Sequence, residues 1–212
     1  MSSPNSAKIP LPNTTTLILG GARSGKSGYA EKLAINSGKE RIYIATAKVL
    51  DDEMKQRVSR HKKDRASSAW TTVEEPLALA KSLKKWAKPD SIILVDCLTM
   101  WITNLLSEEE IKEETNEEAH PPTFTSSKSG GVCLARLHKE VEELLVCINT
   151  LPCDVIFVSN EVSMGIIPMG ELTRQYVDEA GRLHQQLAQQ VENVILMVAG
   201  LPHKIKTNGE LN

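Results

Sequence analysis

Aromatic side chains are scarce, with three Trp, three Tyr and two Phe among 212 residues. The core must therefore be built from Leu, Ile, Val and Ala. Cysteine offers no staple either. The four cysteines, Cys97, Cys133, Cys147 and Cys153, include no CxxC pair. That spacing argues against a zinc site or a disulfide framework and fits reduced thiols in a cytoplasmic protein. Neither sign of charge prevails: 25 Lys and Arg stand against 27 Asp and Glu, a formal net charge of −2. A general nucleic-acid binder would be strongly basic. Long hydrophobic runs are missing as well. The longest, residues 92–102, is interrupted by Asp96 and falls far short of the about 20 residues a membrane span needs. The N-terminal MSSPNSAKIPLPN has no apolar core segment, so it does not read as a secretory signal.

What remains is a chain 41% hydrophobic and 25% charged, of a length that suits one domain and buries about 70% of its unfolded surface. Continuous aliphatic runs recur at 15–19 (TTLIL), 41–45 (RIYIA), 92–95 (IILV), 154–159 (DVIFVS) and 193–198 (NVILMV), with a shorter one at 70–73. Runs without strict alternation mark strands covered on both faces, as in a parallel sheet. Helical patterns are expected at 27–36, 51–64, 76–86, 132–149 and 171–191. The last repeats apolar residues at Leu172, Tyr176, Ala180, Leu183, Leu187 and Val191, one stripe of a helix. Alternating strands and helices imply an α/β fold with right-handed crossovers. The expected organisation is a flexible tail at 1–14, one domain at 15–206 and a C-terminal tail at 207–212. Residues 107–131 break the pattern and are expected to form a disordered acidic insert. Residues 108–118 hold seven Glu and one Lys, a local charge of −6, which leaves +4 on the rest of the chain. A mild basic surplus suits polyphosphate ligands.

The strongest motif is Gly20, Gly21, Ala22, Arg23, Ser24, Gly25, Lys26 and Ser27. It satisfies GxxxxGK[ST] between a strand and a helix. Glycines let consecutive N–H groups curl around a phosphate, and the following helix adds its positive end. Lys26 can reach the β- and γ-phosphates, and Ser27 can hold Mg²⁺. Asp96 closes IILVD, where a carboxylate can face the same metal; it could instead cap the next helix. Other strand ends are polar too, at Thr46 and at Ser159, Asn160 and Glu161. Arg23 and Glu161 are further candidates at the nucleotide, with a surface cation and a turn cap as the respective alternatives. The chain has no NKxD and no LSGGQ, so it matches neither a regulatory GTPase nor an ABC-type ATPase.

Residues 51–65 read DDEMKQRVSRHKKDR, acids first and bases last, as the helix dipole favours. At helical spacing, His61 falls between an apolar side with Met54 and Val58 and a cationic side with Arg57 and Arg65. Two readings stay open on the pattern alone. One is a half-buried structural histidine. The other is a nucleophile kept neutral by the neighbouring arginines.

Taken together, GGARSGKS, YIATA, VLDDEMKQRVSRHKKDR, LVDCLTMWITNLL, VSNEVSMGIIP, AGRLHQQLAQQ and VAGLPHKIK resemble the bifunctional adenosylcobinamide kinase/adenosylcobinamide-phosphate guanylyltransferase family, over about residues 15–206. The resemblance implies a RecA-like P-loop fold and two reactions of cobalamin biosynthesis. A nucleoside triphosphate, ATP or GTP, phosphorylates adenosylcobinamide. GTP then gives its GMP to adenosylcobinamide phosphate through a GMP–histidine intermediate, releasing pyrophosphate. The matching histidine is His61; some relatives carry two adjacent histidines, but here Arg60 precedes it. The resemblance also implies a homotrimer. Ser163 stands where relatives often have Gly. Outside these motifs, Arg174, Asp178 and Arg182 read as a solvated ladder and His184 as structural.

Overall fold

The computed structural model describes residues 13–48, 69–114 and 130–212, without the side chains of 108–114 and 130–133. The elements are β1 (Thr15–Gly20), α1 (Lys26–Asn36), β2 (Glu40–Ala45), β3 (Trp70–Glu74), α2 (Leu79–Trp86), β4 (Ser91–Asp96), α3 (Leu98–Glu114), α4 (Gly130–Ile148), β5 (Asp154–Asn160), α5 (Glu171–Gln190), β6 (Asn193–Val198), β7 (Leu201–Thr207) and β8 (Glu210–Leu211). They form one eight-stranded sheet in the order β3-β2-β4-β5-β1-β6-β7-β8. Strands β3 to β6 in that order are all parallel, and only β7 and β8 pair antiparallel. This is the expected α/β architecture, a mostly parallel sheet flanked by helices, with the phosphate-loop strand separated from the Asp96 strand by β5.

Adjacent residues of the central strands face opposite layers, as the two-residue strand period requires. Leu17, Ile42, Ile44, Ile93, Val95, Val155 and Phe157 join one core with Leu79, Leu83, Trp101, Leu105, Leu144, Leu183 and Leu187. Their neighbours Ile18, Tyr43, Leu94, Ile156 and Val158 join a second core with Ala30 and Ala34 of α1. Among the described elements, α2 to α5 thus cover one face and α1 the other. Both faces are buried, which is why the strands read as unbroken aliphatic runs. Trp101 is fully buried, and its indole N–H donates to the Leu77 carbonyl at 2.7 Å, so the largest core side chain leaves no polar atom unmatched.

The sequence reading and the fold differ in several places. Helix α3 follows Asp96 directly and runs to Glu114, so the first part of the 107–131 segment is helical, and α4 already begins at Gly130. The C-terminal residues assigned to a tail complete β7 and form β8. Their turn, Asn208-Gly209, has φ of 51° and 85°, the positive values a two-residue type I′ hairpin demands. At the other end, Thr14 donates its N–H to Asp154 and Asn13 donates to the Leu151 carbonyl. Residues 1–12, the expected helix at 51–64 with His61, and residues 115–129 lie outside the described residues.

Candidate nucleotide site

The site is built where the parallel strands end. Gly20 is in register with Asn160 of β5 and Met197 of β6. Asp96 is in register with Ala45 of β2 and Val158 of β5. The phosphate loop, Thr46, Asp96 and Asn160 therefore share the carboxyl rim of the sheet, the edge at which open α/β sheets bind ligands.

The loop itself is preorganised. Gly20 has φ of 154°, and a Cβ there would lie 2.5 Å from the Met197 carbonyl oxygen and 2.7 Å from Ser24 Oγ. Arg23, exposed at the loop's tip, has φ of 57°. Gly25 caps α1 at φ 92° with no side chain occupying the cap, so the first N–H groups of the helix remain for a ligand. Ser24 N–H donates to the Gly21 carbonyl at 3.2 Å, and the Gly200 N–H donates to the Ser24 carbonyl at 3.0 Å. Gly200 lies in the turn between β6 and β7, where Ala199 and Gly200 both have positive φ. This hairpin backs the phosphate loop. Gly20→Ala is expected to push the loop off Met197 and weaken nucleotide binding by about ten-fold or more, with the sheet intact. Calorimetric titration with GTP checks this, and unchanged affinity would refute the packing described.

Lys26 is buried, and its ammonium donates to the Gly21 carbonyl at 2.6 Å, with Ser24 Oγ at 3.5 Å. Burial pushes its pKa down, while interactions with Cys97 and Asp96 pull the other way. The cation is therefore held folded into its own loop, with a carbonyl and a long hydroxyl contact to give up when phosphate oxygens arrive. Ser27 follows on the first turn of α1, half-buried.

Asp96 is positioned from two sides. Tyr43 of β2 donates its hydroxyl to Asp96 Oδ2 at 3.0 Å, and the Tyr43 ring packs edge-on against Trp70 at 5.9 Å. Thr46 clamps the next residue: its Oγ1 accepts from the Cys97 N–H at 2.8 Å and donates to the Cys97 carbonyl at 2.7 Å. Asn104 of α3 donates to the Thr46 carbonyl at 2.6 Å and to the Pro76 carbonyl at 3.1 Å. Burial, reinforced by Asp96, pushes the Cys97 thiol up to about 11. It is thus a neutral neighbour of the site at physiological pH. Beyond it, Thr99 links Cys97 Sγ at 3.0 Å to the Asn160 amide at 3.2 Å. Tyr176 also bonds Thr99 and Thr103, and its hydroxyl pKa is raised by burial. Thr46 and Asn160 are polar strand ends visible in the sequence, whereas Tyr43, Thr99, Asn104 and Tyr176 reach the site from other strands and helices and sequence spacing gives no sign of them.

Glu161 stands one residue past β5. Its N–H donates to the Gly20 carbonyl at 2.9 Å. Its carboxylate accepts from the Ser163 N–H at 2.6 Å and from Ser163 Oγ, the turn-capping contact. Burial raises its pKa, but the Ser163 bonds and nearby His184 outweigh that and leave it lowered. His184 is buried, accepts or donates to Ser159 Oγ at 2.7 Å, and has its pKa lowered by desolvation against an opposing pull from Glu161. It is the structural histidine expected. Arg174 is more than a solvated rung: it donates to the Pro168 and Met169 carbonyls.

Oxygen donors at Ser27 and Asp96 suit a hard cation. Among the described residues Tyr43 is the hydrogen-bond donor to the Asp96 carboxylate, at one oxygen. Among the described residues no group of three or more His, Cys, Asp or Glu could cage a metal. Mg²⁺ needs no such cage, since it takes one or two protein oxygens and completes its shell with phosphate oxygens and water. The donor set fits that ion. No helix among the described residues is long and apolar enough to cross a membrane.

Two solved structures align with this chain at low identity and low TM-score. The RadB recombinase gives a TM-score of 0.43 at 16% identity, over 86% of this chain and 73% of the other. The flagellar accessory protein FlaH from Methanocaldococcus jannaschii gives 0.40 at 14%, over 92% and 79%. The sequence relatives are much nearer. The bifunctional adenosylcobalamin biosynthesis protein CobP of Pseudomonas aeruginosa is 46% identical over 190 residues, 90% of this chain and 96% of the relative. The corresponding CobU proteins of Escherichia coli and Salmonella typhimurium are 36% and 37% identical, each over 90% of this chain and 98% of the relative. The family model described as cobinamide kinase / cobinamide phosphate guanyltransferase matches residues 16–205, from β1 with its phosphate loop into β7. With its kinase-type phosphate loop set at the rim of a parallel sheet and that match along nearly its whole length, the chain belongs to the bifunctional cobinamide kinase/cobinamide phosphate guanyltransferase family.

Proposed function

We propose that residues 20–27 and Asp96 serve the phosphoryl-transfer step directly and that His61 carries GMP in the second step. The observation that supports the first part is the meeting of Lys26 and Asp96. Lys26 opens α1 just after β1 and Asp96 ends β4, so two strands separated by β5 bring both to one carboxyl rim, where the Asp96 charge pulls the lysine pKa up against burial. In this reading the N–H groups of the loop and of the first turn of α1 surround the β-phosphate. Lys26 releases the Gly21 carbonyl and binds the β- and γ-oxygens, where negative charge is redistributed as the bond breaks. Arg23, exposed on the loop, adds a second cation for the phosphates. Ser27 and Asp96 hold Mg²⁺, which when bound supplies positive charge at the phosphate oxygens. Tyr43 fixes the direction of the Asp96 carboxylate, and Thr46 holds the backbone that follows it. Glu161 ties its own loop to Gly20 and so borders the nucleotide.

The second step joins two phosphate anions. A nucleophilic histidine divides it into two displacements, each with a good leaving or accepting group. His61 Nε2 or Nδ1 attacks the α-phosphorus of GTP and expels pyrophosphate; the phosphate of adenosylcobinamide phosphate then takes GMP from the imidazole. A homotrimeric, cytoplasmic enzyme completes the reading, by likeness to the family.

Asp96→Asn tests the phosphoryl-transfer assignment. The amide keeps the shape and can still meet Tyr43, but it loses the charge. The expected result is a kcat for adenosylcobinamide phosphorylation lowered by about 10²–10³-fold, with a raised requirement for Mg²⁺. An Mg²⁺ titration of the steady-state rate checks both. Wild-type rates at low Mg²⁺ would remove Asp96 from the reaction.

A further inference from the structure

The loop between β5 and α5 spends apolar side chains on water. Met164, Ile166, Ile167 and Met169 are 78%, 97%, 78% and 95% exposed. Between Val162 and Gly170 the sequence VSMGIIPMG has no charged residue. Scattered exposed apolar side chains are ordinary, but four large ones within six residues mark a binding surface.

The exposure is built in, since both ends of the loop are pinned. At its start, the Glu161 N–H bonds the Gly20 carbonyl at 2.9 Å and the Glu161 carboxylate takes the Ser163 N–H at 2.6 Å. At its end, Arg174 of α5 holds the carbonyls of Pro168 and Met169. A surface held this way has prepaid part of the ordering cost of binding.

Its position names the occupant. Strand β5 lies between β1, which carries the phosphate loop, and β4, which ends in Asp96. The loop therefore leaves the sheet from the middle of the nucleotide rim. The phosphates of a nucleotide have no use for an uncharged apolar surface, and its single flat base is smaller than a surface of four large side chains. The acceptor of the reaction is different: a corrin macrocycle edged with methyl groups and neutral amide arms, whose reacting hydroxyl hangs on a flexible arm. We infer that residues 163–169 seat the apolar face of the corrin ring, so that this arm reaches the γ-phosphate held at Lys26. Methionines suit such a ligand because their unbranched chains adapt to an irregular outline. The inference rests on the phosphate loop being the donor site proposed above.

The test uses the full chain with Ile166→Ser and Ile167→Ser combined, and separately Met169→Gln. Equilibrium dialysis against adenosylcobinamide, read by corrinoid absorbance, gives the affinity; GTP titration and sedimentation follow on the same samples. The double variant is expected to bind the corrinoid about ten-fold or more weakly, and Met169→Gln to shift in the same direction. GTP affinity should stay within about two-fold and the sedimenting mass should not change. Corrinoid affinity equal to wild type in both variants would overturn the inference. A fall in sedimenting mass would also overturn it, by assigning the loop to contact with a second copy. Failure of the donor-site reading looks different: the wild type would bind the corrinoid yet not phosphorylate it.

Discussion

Lys26→Ala is expected to lower the rate of adenosylcobinamide phosphorylation by about 10²–10³-fold, the range seen when one preorganised donor to a developing charge is removed. The effect should exceed that of an exposed lysine because this ammonium is buried. Desolvation already depresses its pKa, and Asp96 helps to keep it charged. A cation in such a place acts on phosphate oxygens with little screening. The free protein satisfies it with the Gly21 carbonyl at 2.6 Å, a partner easily exchanged for a phosphate. Lys26→Arg should not restore activity. The forked guanidinium is larger and cannot enter the same slot against Ser24 and Gly21 as a point charge. The check is a steady-state rate with saturating nucleotide, alongside a thermal melt. A melt within a few degrees of wild type with the rate lost assigns the effect to chemistry, and a rate within ten-fold of wild type would contradict the role given to Lys26.

His61→Ala is expected to separate the two activities. Guanylyl transfer should fall by about four orders of magnitude or more, as when a covalent nucleophile is deleted. Adenosylcobinamide phosphorylation should stay within a few-fold of wild type. Direct attack of a phosphate on GTP brings two anions together. A neutral imidazole approaches the α-phosphorus without that repulsion, and the cationic residues Arg57, Arg60, Lys62 and Arg65 near it in sequence favour both the neutral imidazole and the incoming phosphate. Assays of each product on one preparation check the separation. If both activities fall together, His61 holds structure, and the half-buried reading of this residue stands.

The parts of the fold that were legible in the sequence are those whose cause is local. A glycine-rich loop between a strand and a helix depends on consecutive residues, so the motif at 20–27 placed the phosphate loop directly. Asp96 was legible because it ends a continuous aliphatic strand. Helix α3 was not, although it follows at once. Leu98, Trp101, Ile102 and Leu105 are buried, and so are Thr99 and Asn104 between them. A helix covered on nearly all sides has no polar face to give a 3.6-residue rhythm, and it merged with the preceding strand into one apolar run. The C-terminal hairpin did carry a signal, the Asn208-Gly209 turn, but β7 is short of alternation because its residues are exposed on both faces.

The site divides in the same way. Lys26, Ser27 and Asp96 are identified by their own motifs. Tyr43, which orients Asp96 from 53 residues away in sequence, and Asn104, which braces Thr46 across 58, act through strand register and helix packing. A lone tyrosine inside RIYIA shows only as one more bulky strand residue. The support of the phosphate loop by Gly200 is equally invisible, since it depends on β6 lying beside β1.

The most direct test of the two-step route is a label-transfer experiment. The full chain is incubated with Mg²⁺ and GTP labelled at the α-phosphate, then separated from free nucleotide. The expected result is label on the protein that survives base and is released by acid, as a phosphorus–nitrogen bond requires, and that is absent from His61→Ala. An unlabelled wild type that still phosphorylates adenosylcobinamide, or a His61→Ala variant that labels as well as wild type, would contradict it.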